Sequence, residues 1–174
     1  MQKISPSLLI ASLALTLGAC ASIGPGGPSA STKLEARSGS KVSGTVQFTQ
    51  RGDQVMVRAE VMGLAPGQEH GFHIHDKGDC SAPDGMSAAG HYNPSGKPHG
   101  PQDKDRHGGD MPSLKADASG KAVASFQLTG VTVADGPASI VGRSVIVHKD
   151  PDDYKTQPTG NSGARIACGL VVKA

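Results

Sequence analysis

Residues 70–110 read HGFHIHDKGDCSAPDGMSAAGHYNPSGKPHGPQDKDRHGGD and hold six of the chain's seven histidines. Gly71, Phe72 and Ile74 make a short apolar strand pattern in which His73 and His75 point to one face. Two residues of strand set them about 6.6–6.8 Å apart, which suits two ligands of one metal ion. His91, His99 and His107 follow in a Gly/Pro-rich loop, with Asp110 three residues after His107. That loop has no apolar periodicity to fold it, so a bound metal ion is its expected organiser.

Outward from this stretch, apolar and polar residues alternate in short runs. Val42, Gly44, Val46 and Phe48 share one face of a strand. Val55, Val57, Ala59 and Val61 share a face of the next, with residues 50–53 as the turn between. Residues 64–67 turn into the strand of His73 and His75. Further strands are predicted near 113–116, over 121–128, over 144–148 and over 166–172. No stretch makes an amphipathic helix. Short strands between turn signals predict an all-β sandwich or barrel. Two connections, roughly 76–112 and 149–164, are too long for tight turns, and such loops in a compact domain are usually functional.

The chain opens with Lys3 and the apolar run Leu8 to Leu17, too short to cross a membrane as a helix. The run ends in Leu17-Gly18-Ala19-Cys20, small residues before a cysteine that resemble the lipobox of a bacterial lipoprotein. The expected organisation is a signal peptide over 1–19, a lipidated Cys20 with a flexible Gly/Pro/Ser/Ala-rich tether over 20–32, and one domain over 33–174. This places the protein in the periplasm, anchored to the membrane through lipid on Cys20, with Ser22 favouring the outer membrane. A plain cleaved secretory signal is the alternative. Cys80 and Cys168 then remain as an even pair in an exported protein, so a disulfide is expected. A bridge closing a loop of that size is worth about 4–5 kcal/mol in the chain-entropy model. The formal net charge is only +2, with no basic stripe and 3% aromatic residues, so nothing recommends nucleic acid as a partner.

His148 ends the apolar run Val145-Ile146-Val147, far in sequence from His73 and His75, and a sandwich brings such strands side by side. His73, His75, His148 and one loop histidine make an all-imidazole set that favours copper(II). His91, His99, His107 and Asp110 offer three nitrogens and one oxygen, a closed four-coordinate set typical of structural zinc. These seven residues must fill eight ligand places. One histidine therefore serves both ions, and His91 is the natural bridge through its two ring nitrogens.

The motifs Gly71-Phe72-His73-Ile74-His75, Gly90-His91-Tyr92-Asn93-Pro94, His107-Gly108-Gly109-Asp110, Val147-His148 and Gly163-Ala164-Arg165-Ile166-Ala167-Cys168-Gly169 resemble, in order, those of the copper/zinc superoxide dismutase family. The resemblance is to its bacterial exported branch and covers nearly everything after the tether. It implies an eight-stranded antiparallel Greek-key β-sandwich or barrel with two long functional loops. It further implies one copper per chain on His73, His75, His91 and His148, and one zinc on His91, His99, His107 and Asp110. Arg165 would sit over the copper and guide superoxide, while the Cys80–Cys168 bridge fixes the loop and, through the neighbouring backbone, Arg165. Asp152, with Asp153 as its neighbouring alternative, would link a copper histidine to a zinc histidine. The implied reaction is dismutation of superoxide to oxygen and hydrogen peroxide by redox-cycling copper, with His91 delivering a proton.

His70 is read as a structural histidine hydrogen-bonded in the sheet, and Lys77, Lys97, Lys104 and Lys155 as solvated loop charges. Residues 81–90 form a longer segment than in the eukaryotic branch, and the His99-to-His107 spacing is one residue shorter. The chain has no Trp, an aromatic often found at the bacterial dimer contact, so monomer and homodimer both stay open. The rival reading is a non-catalytic copper/zinc-binding lipoprotein of the same fold. Arg165 with His148 favours the enzyme, because a pure binder has no need of an arginine at an open copper face. A zinc hydrolase needs an open zinc position, which the closed ligand set does not leave.

Overall fold

The structure, a computed structural model, describes residues 27–174. Its strands are β1 (Ser29–Ala36), β2 (Ser43–Arg51), β3 (Gln54–Met62), β4 (Glu69–His70), β5 (Phe72–His75), β6 (Leu114–Lys115), β7 (Ala122–Leu128), β8 (Ser144–His148), β9 (Arg165–Leu170) and β10 (Val172–Lys173). β2 and β3 form a hairpin that closes at Arg51 opposite Gln54, leaving Gly52 and Asp53 as a two-residue loop. Gly52 takes φ 59, which costs a residue without Cβ nothing. Val46, Phe48, Val55, Val57 and Val61 point inward and are fully buried, while Gln47, Arg58 and Glu60 alternate outward. The period of two read from the sequence is the period of burial.

Every strand ladder is antiparallel, and eight strands run in the order β5-β8-β9-β1-β2-β3-β7, with β10 joined to β1. The small β4–β6 ladder pairs Glu69 with Lys115 and His70 with Leu114. It ties the chain ahead of β5 to the chain ahead of β7, the two ends of that order. The result is the expected Greek-key barrel, filled by Leu34, Phe48, Phe72, Ile74, Leu114, Leu128, Ile140 and their neighbours.

Two boundaries differ from expectation. The tether was expected to run to residue 32, but β1 begins at Ser29 and pairs with β2 from Ser29 opposite Thr49. Ala30, Thr32 and Leu34 alternate into the interior at 1%, 3% and 1% exposure. Small residues read as linker because their burial depends on a partner strand that composition does not reveal. The leader, Cys20 and the tether through residue 26 lie outside the described residues. The single strand expected over 166–172 divides at Val171, whose N–H bonds the Arg143 carbonyl and whose carbonyl accepts from Gly142, both at 2.9 Å. β9 therefore pairs with β8 and the end of β1, and β10 with the start of β1.

The two walls of β5 and β8 separate the core from the site. Phe72, Ile74, Val145 and Val147 enter the barrel, whereas Ile146 belongs to a second cluster with Ala88 and Cys168. His73 lies opposite Ile146 and His75 opposite Ser144, so both histidines stand on the outer wall. The two long loops, 76–113 and 149–164, cover that wall.

Candidate metal centre

The loop histidines reach β5 because the loop backbone pairs with it. Tyr92 N–H donates to the Ile74 carbonyl, Ile74 N–H to Gly109 and Gly109 N–H to Tyr92, each at 2.8 Å. His91 thereby falls opposite His75, and Asp110 opposite His73. Gly109 is required here, since a Cβ would stand 2.3 Å from the Ile74 carbonyl oxygen. Tyr92 is locked by its hydroxyl to the Pro137 carbonyl at 2.6 Å and by the Arg143 guanidinium 4.3 Å over its ring. His148 completes the wall, its N–H bonding the Gly71 carbonyl at 2.8 Å where the β8–β9 register shifts.

Two buried groups result, His73, His75, His91 and His148, and His91, His99, His107 and Asp110, each with its ligand atoms within 4.8 Å of one another. His91 is common to both, as the ligand arithmetic required. All seven residues expected to bind metal are therefore brought together.

The hydrogen bonds assign the free ring nitrogens. His75 Nδ1–H donates to the Ala89 carbonyl at 2.9 Å, His148 Nδ1–H to Gly163 at 3.2 Å, and His73 Nε2–H to Asp152 Oδ2 at 2.7 Å. Each acceptor is an oxygen that cannot donate, so the opposite nitrogen of each neutral ring keeps its lone pair. Those nitrogens are His73 Nδ1, His75 Nε2 and His148 Nε2. Together with His91 Nε2 they are buried without a hydrogen-bond partner. Burying four such nitrogens is costly unless a ligand takes them, and an all-imidazole set fits copper.

The second group centres on Asp110, which is fully buried. His91 Nδ1 lies 2.8 Å from Oδ1, His99 Nδ1 3.0 Å from Oδ2, and His107 Nδ1 3.3 Å from Oδ1. His99 spends its Nε2–H on Asp152 Oδ1 at 2.9 Å, so in the neutral ring its Nδ1 lone pair faces a carboxylate. Two acceptors at that distance need a cation between them, a proton in the metal-free protein or a metal ion in its place. Three nitrogens and one oxygen fit zinc with no open position.

Charge follows the same division. Burial, with the neighbouring histidines opposing further positive charge, holds His75 well below the ordinary range, His91 at about 4 and His148 at about 3. They are neutral at pH 7, as ligands must be. Burial also works against charge on His99, but Asp110 and Asp152 outweigh it and push the ring up to about 9. Burial would raise Asp110 and Asp152, yet hydrogen bonds from the histidines hold both well below the carboxylate range.

Asp152, not Asp153, is the carboxylate that joins the two groups, through His73 and His99. Asp153 instead accepts the N–H groups of Lys155 and Thr156, each at 2.8 Å, in a local turn. Gly160, at φ 65, leaves room for Asp152, whose Oδ1 would otherwise stand 1.8 Å from a Cβ. His70 lies behind the site, its Nδ1–H bonding the His148 carbonyl at 2.9 Å, in accord with a structural role.

Arg165 closes the open side. Its guanidinium donates to the Gly85 carbonyl at 2.8 Å and the Ala89 carbonyl at 2.6 Å. With His75 and His148 it lines a cavity of about 450 Å³. The Cys80–Cys168 disulfide, Cα–Cα 5.7 Å, ties β9 just beyond Arg165 to the loop that supplies both carbonyls. Two contributors were not foreseen. The Ala89 carbonyl serves His75 and Arg165 together from φ 62, ψ −148, a conformation that favours glycine and that an alanine does not signal. Arg37 clamps the Cys80 carbonyl through Nε at 3.0 Å and Nη2 at 2.6 Å, and no local motif marks it.

The family model for copper/zinc superoxide dismutase matches residues 42–171. Among solved structures, a SOD-like protein from Bacillus subtilis is 35% identical, with a TM-score of 0.72 over 80% of this chain and 95% of that one. A double mutant of a SOD-like protein from the same organism is 37% identical, with a TM-score of 0.72 over 82% and 96%. The clock protein EA4 is 33% identical, with a TM-score of 0.76 over 84% and 94%. A match across most of the chain, on a barrel whose outer wall gathers the two ligand groups, shows that the chain belongs to the copper/zinc superoxide dismutase family.

Proposed function

We propose that the protein dismutates superoxide, converting two superoxide anions and two protons to oxygen and hydrogen peroxide. It would hold one copper on His73, His75, His91 and His148, and one zinc on His91, His99, His107 and Asp110. The observation that carries this reading is the placing of Arg165 on the cavity that opens onto His75 and His148. Copper, when bound, would supply the one-electron redox chemistry that no side chain here possesses. Arg165 attracts and holds the anion, with its guanidinium aimed by two carbonyls. The bonds to Ala89, Gly163 and Asp152 keep three rings in the tautomers that offer a lone pair. His91 Nε2 would carry one of the two protons that the peroxide-forming half-reaction consumes, the other coming from solvent. The buried N3O set around Asp110 holds His91 in place from its Nδ1 side.

A non-catalytic metal-binding protein of this fold is the second reading, since relatives described only as SOD-like or as a clock protein share the barrel. The test is superoxide dismutation by the protein loaded with one copper and one zinc, over a series of salt concentrations. A fast rate that falls as salt rises supports the enzyme and its attractive charge. Stoichiometric metal without activity leaves the metal-binding protein. We also propose export to the cell envelope with a lipid on Cys20. Mass spectrometry of the mature amino terminus tests it, and an unmodified Cys20 would refute it.

A further inference from the structure

A second cavity, about 140 Å³, shares no lining residue with the one at Arg165 and is lined among others by Lys97, Lys104, Arg106, Ser95 and Thr129. Arg106 is its unusual member. Its residue exposure is only 7%, and no carboxylate lies within ion-pair distance among the described residues. Its partners are the His107 carbonyl at 3.0 Å and, weakly, the Thr129 carbonyl at 3.4 Å and hydroxyl at 3.3 Å. These contacts use three of the five N–H donors of a guanidinium at most. A buried charge is ordinarily paired, and Asp110, the nearest buried carboxylate in its electrostatics, is already committed to three histidines. Lys104 reaches the same cavity without an ion-pair partner among the described residues, whereas Lys97 is neutralised by Asp105 at 2.8 Å. Two uncompensated cations, two hydroxyls and a small volume make a site for one small anion.

We propose that this cavity binds a small tetrahedral oxyanion of the phosphate class. The planar fork of Arg106 matches such an oxyanion, and Lys104 adds a second positive charge. The bound anion would pair the buried guanidinium and, because Arg106 also holds the His107 carbonyl, would brace the loop that carries all four members of the zinc-type group. The site is independent of the cavity at Arg165 and of any dismutase activity.

The test is calorimetric titration of inorganic phosphate into the metal-loaded protein at constant ionic strength, with chloride as the control ion. We expect one saturable site per chain and a loss of at least about tenfold in affinity for Lys104→Met and for Arg106→Gln, the effect of about 1.4 kcal/mol per lost partner. Arg165→Gln separates the two cavities and should leave the phosphate affinity unchanged. Should Arg106→Gln fail to fold, Lys104→Met decides alone. The proposal is overturned if phosphate shows no saturable binding, if Lys104→Met binds as the wild type does, or if Arg165→Gln abolishes binding and places the anion in the other cavity.

Discussion

Replacing Arg165 by glutamine removes, among the described residues, the one Lys or Arg side chain that lines the cavity at His75 and His148. A unit anion about 4 Å from a guanidinium gains about 1 kcal/mol at the dielectric of water and about 4 kcal/mol at an effective value near 20. Arg165 is only partly buried, so the lower part of that range applies. A loss of about 1–2 kcal/mol corresponds to a fall in kcat/KM of roughly 5- to 30-fold. Arg165→Lys keeps the charge but forfeits the fixed pair of bonds to Gly85 and Ala89, and should fall between the two. The assay is rapid-mixing decay of superoxide, with copper and zinc contents measured on the same samples. The dependence on salt should also flatten in Arg165→Gln, since the screened attraction is gone. The reasoning is refuted if both variants, fully loaded, keep the wild-type rate and salt slope.

Asp152→Asn keeps the size of the side chain but removes the charge that binds His73 and His99, and should weaken metal binding by about 10- to 100-fold in competition with a chelator. Asp153→Asn, confined to a local turn, is the control, and equal affinities in the two variants would sink the assignment. Replacing Cys80 and Cys168 together by serine should lower stability by about 4–5 kcal/mol in denaturant titration. An unchanged midpoint would show that the loop is held by other contacts. In the metal-free protein His91 and His148, lowered to about 4 and 3, contribute stability above their unfolded value near 6.5 and lose it as pH falls. His99, raised to about 9, contributes below that unfolded value and loses its share as pH rises through 9. The thermal midpoint of the chelated protein should therefore peak near pH 6.5, each group changing stability by at most ~1.4 kcal/mol per pH unit. A midpoint still climbing at pH 9 would contradict this.

Where the sequence was readable, the reason is local. Alternation over 42–48, 55–61 and 122–128 follows from side chains pointing to opposite faces of a strand, and burial alternates with it. Donor chemistry is equally local, since imidazoles and a carboxylate keep their preferences wherever they stand. Ser29 to Thr32 were misread because Ser, Ala and Thr are ambivalent until a partner strand buries them. The break at Val171 was hidden because residues 166–172 form one apolar run, and only the Arg143 carbonyl and the Gly142 N–H of the β7–β8 connection pull Val171 out of the ladder.

The residues alone determined a β protein of short antiparallel strands with seven metal-competent side chains, one of them shared. Those conclusions need only the period of the strand and the coordination habits of nitrogen and oxygen. Tertiary structure decided which nitrogen of each ring is free, since that depends on carbonyls of Ala89 and Gly163 and the carboxylate of Asp152, distant in sequence. It also chose Asp152 over Asp153, neighbours of identical chemistry, by turning one toward His73 and the other into its own turn. The physical reason is range. Dihedral preference and face are fixed within a few residues, whereas the approach of β5, β8 and two long loops is fixed by ladder register and packing across the whole barrel.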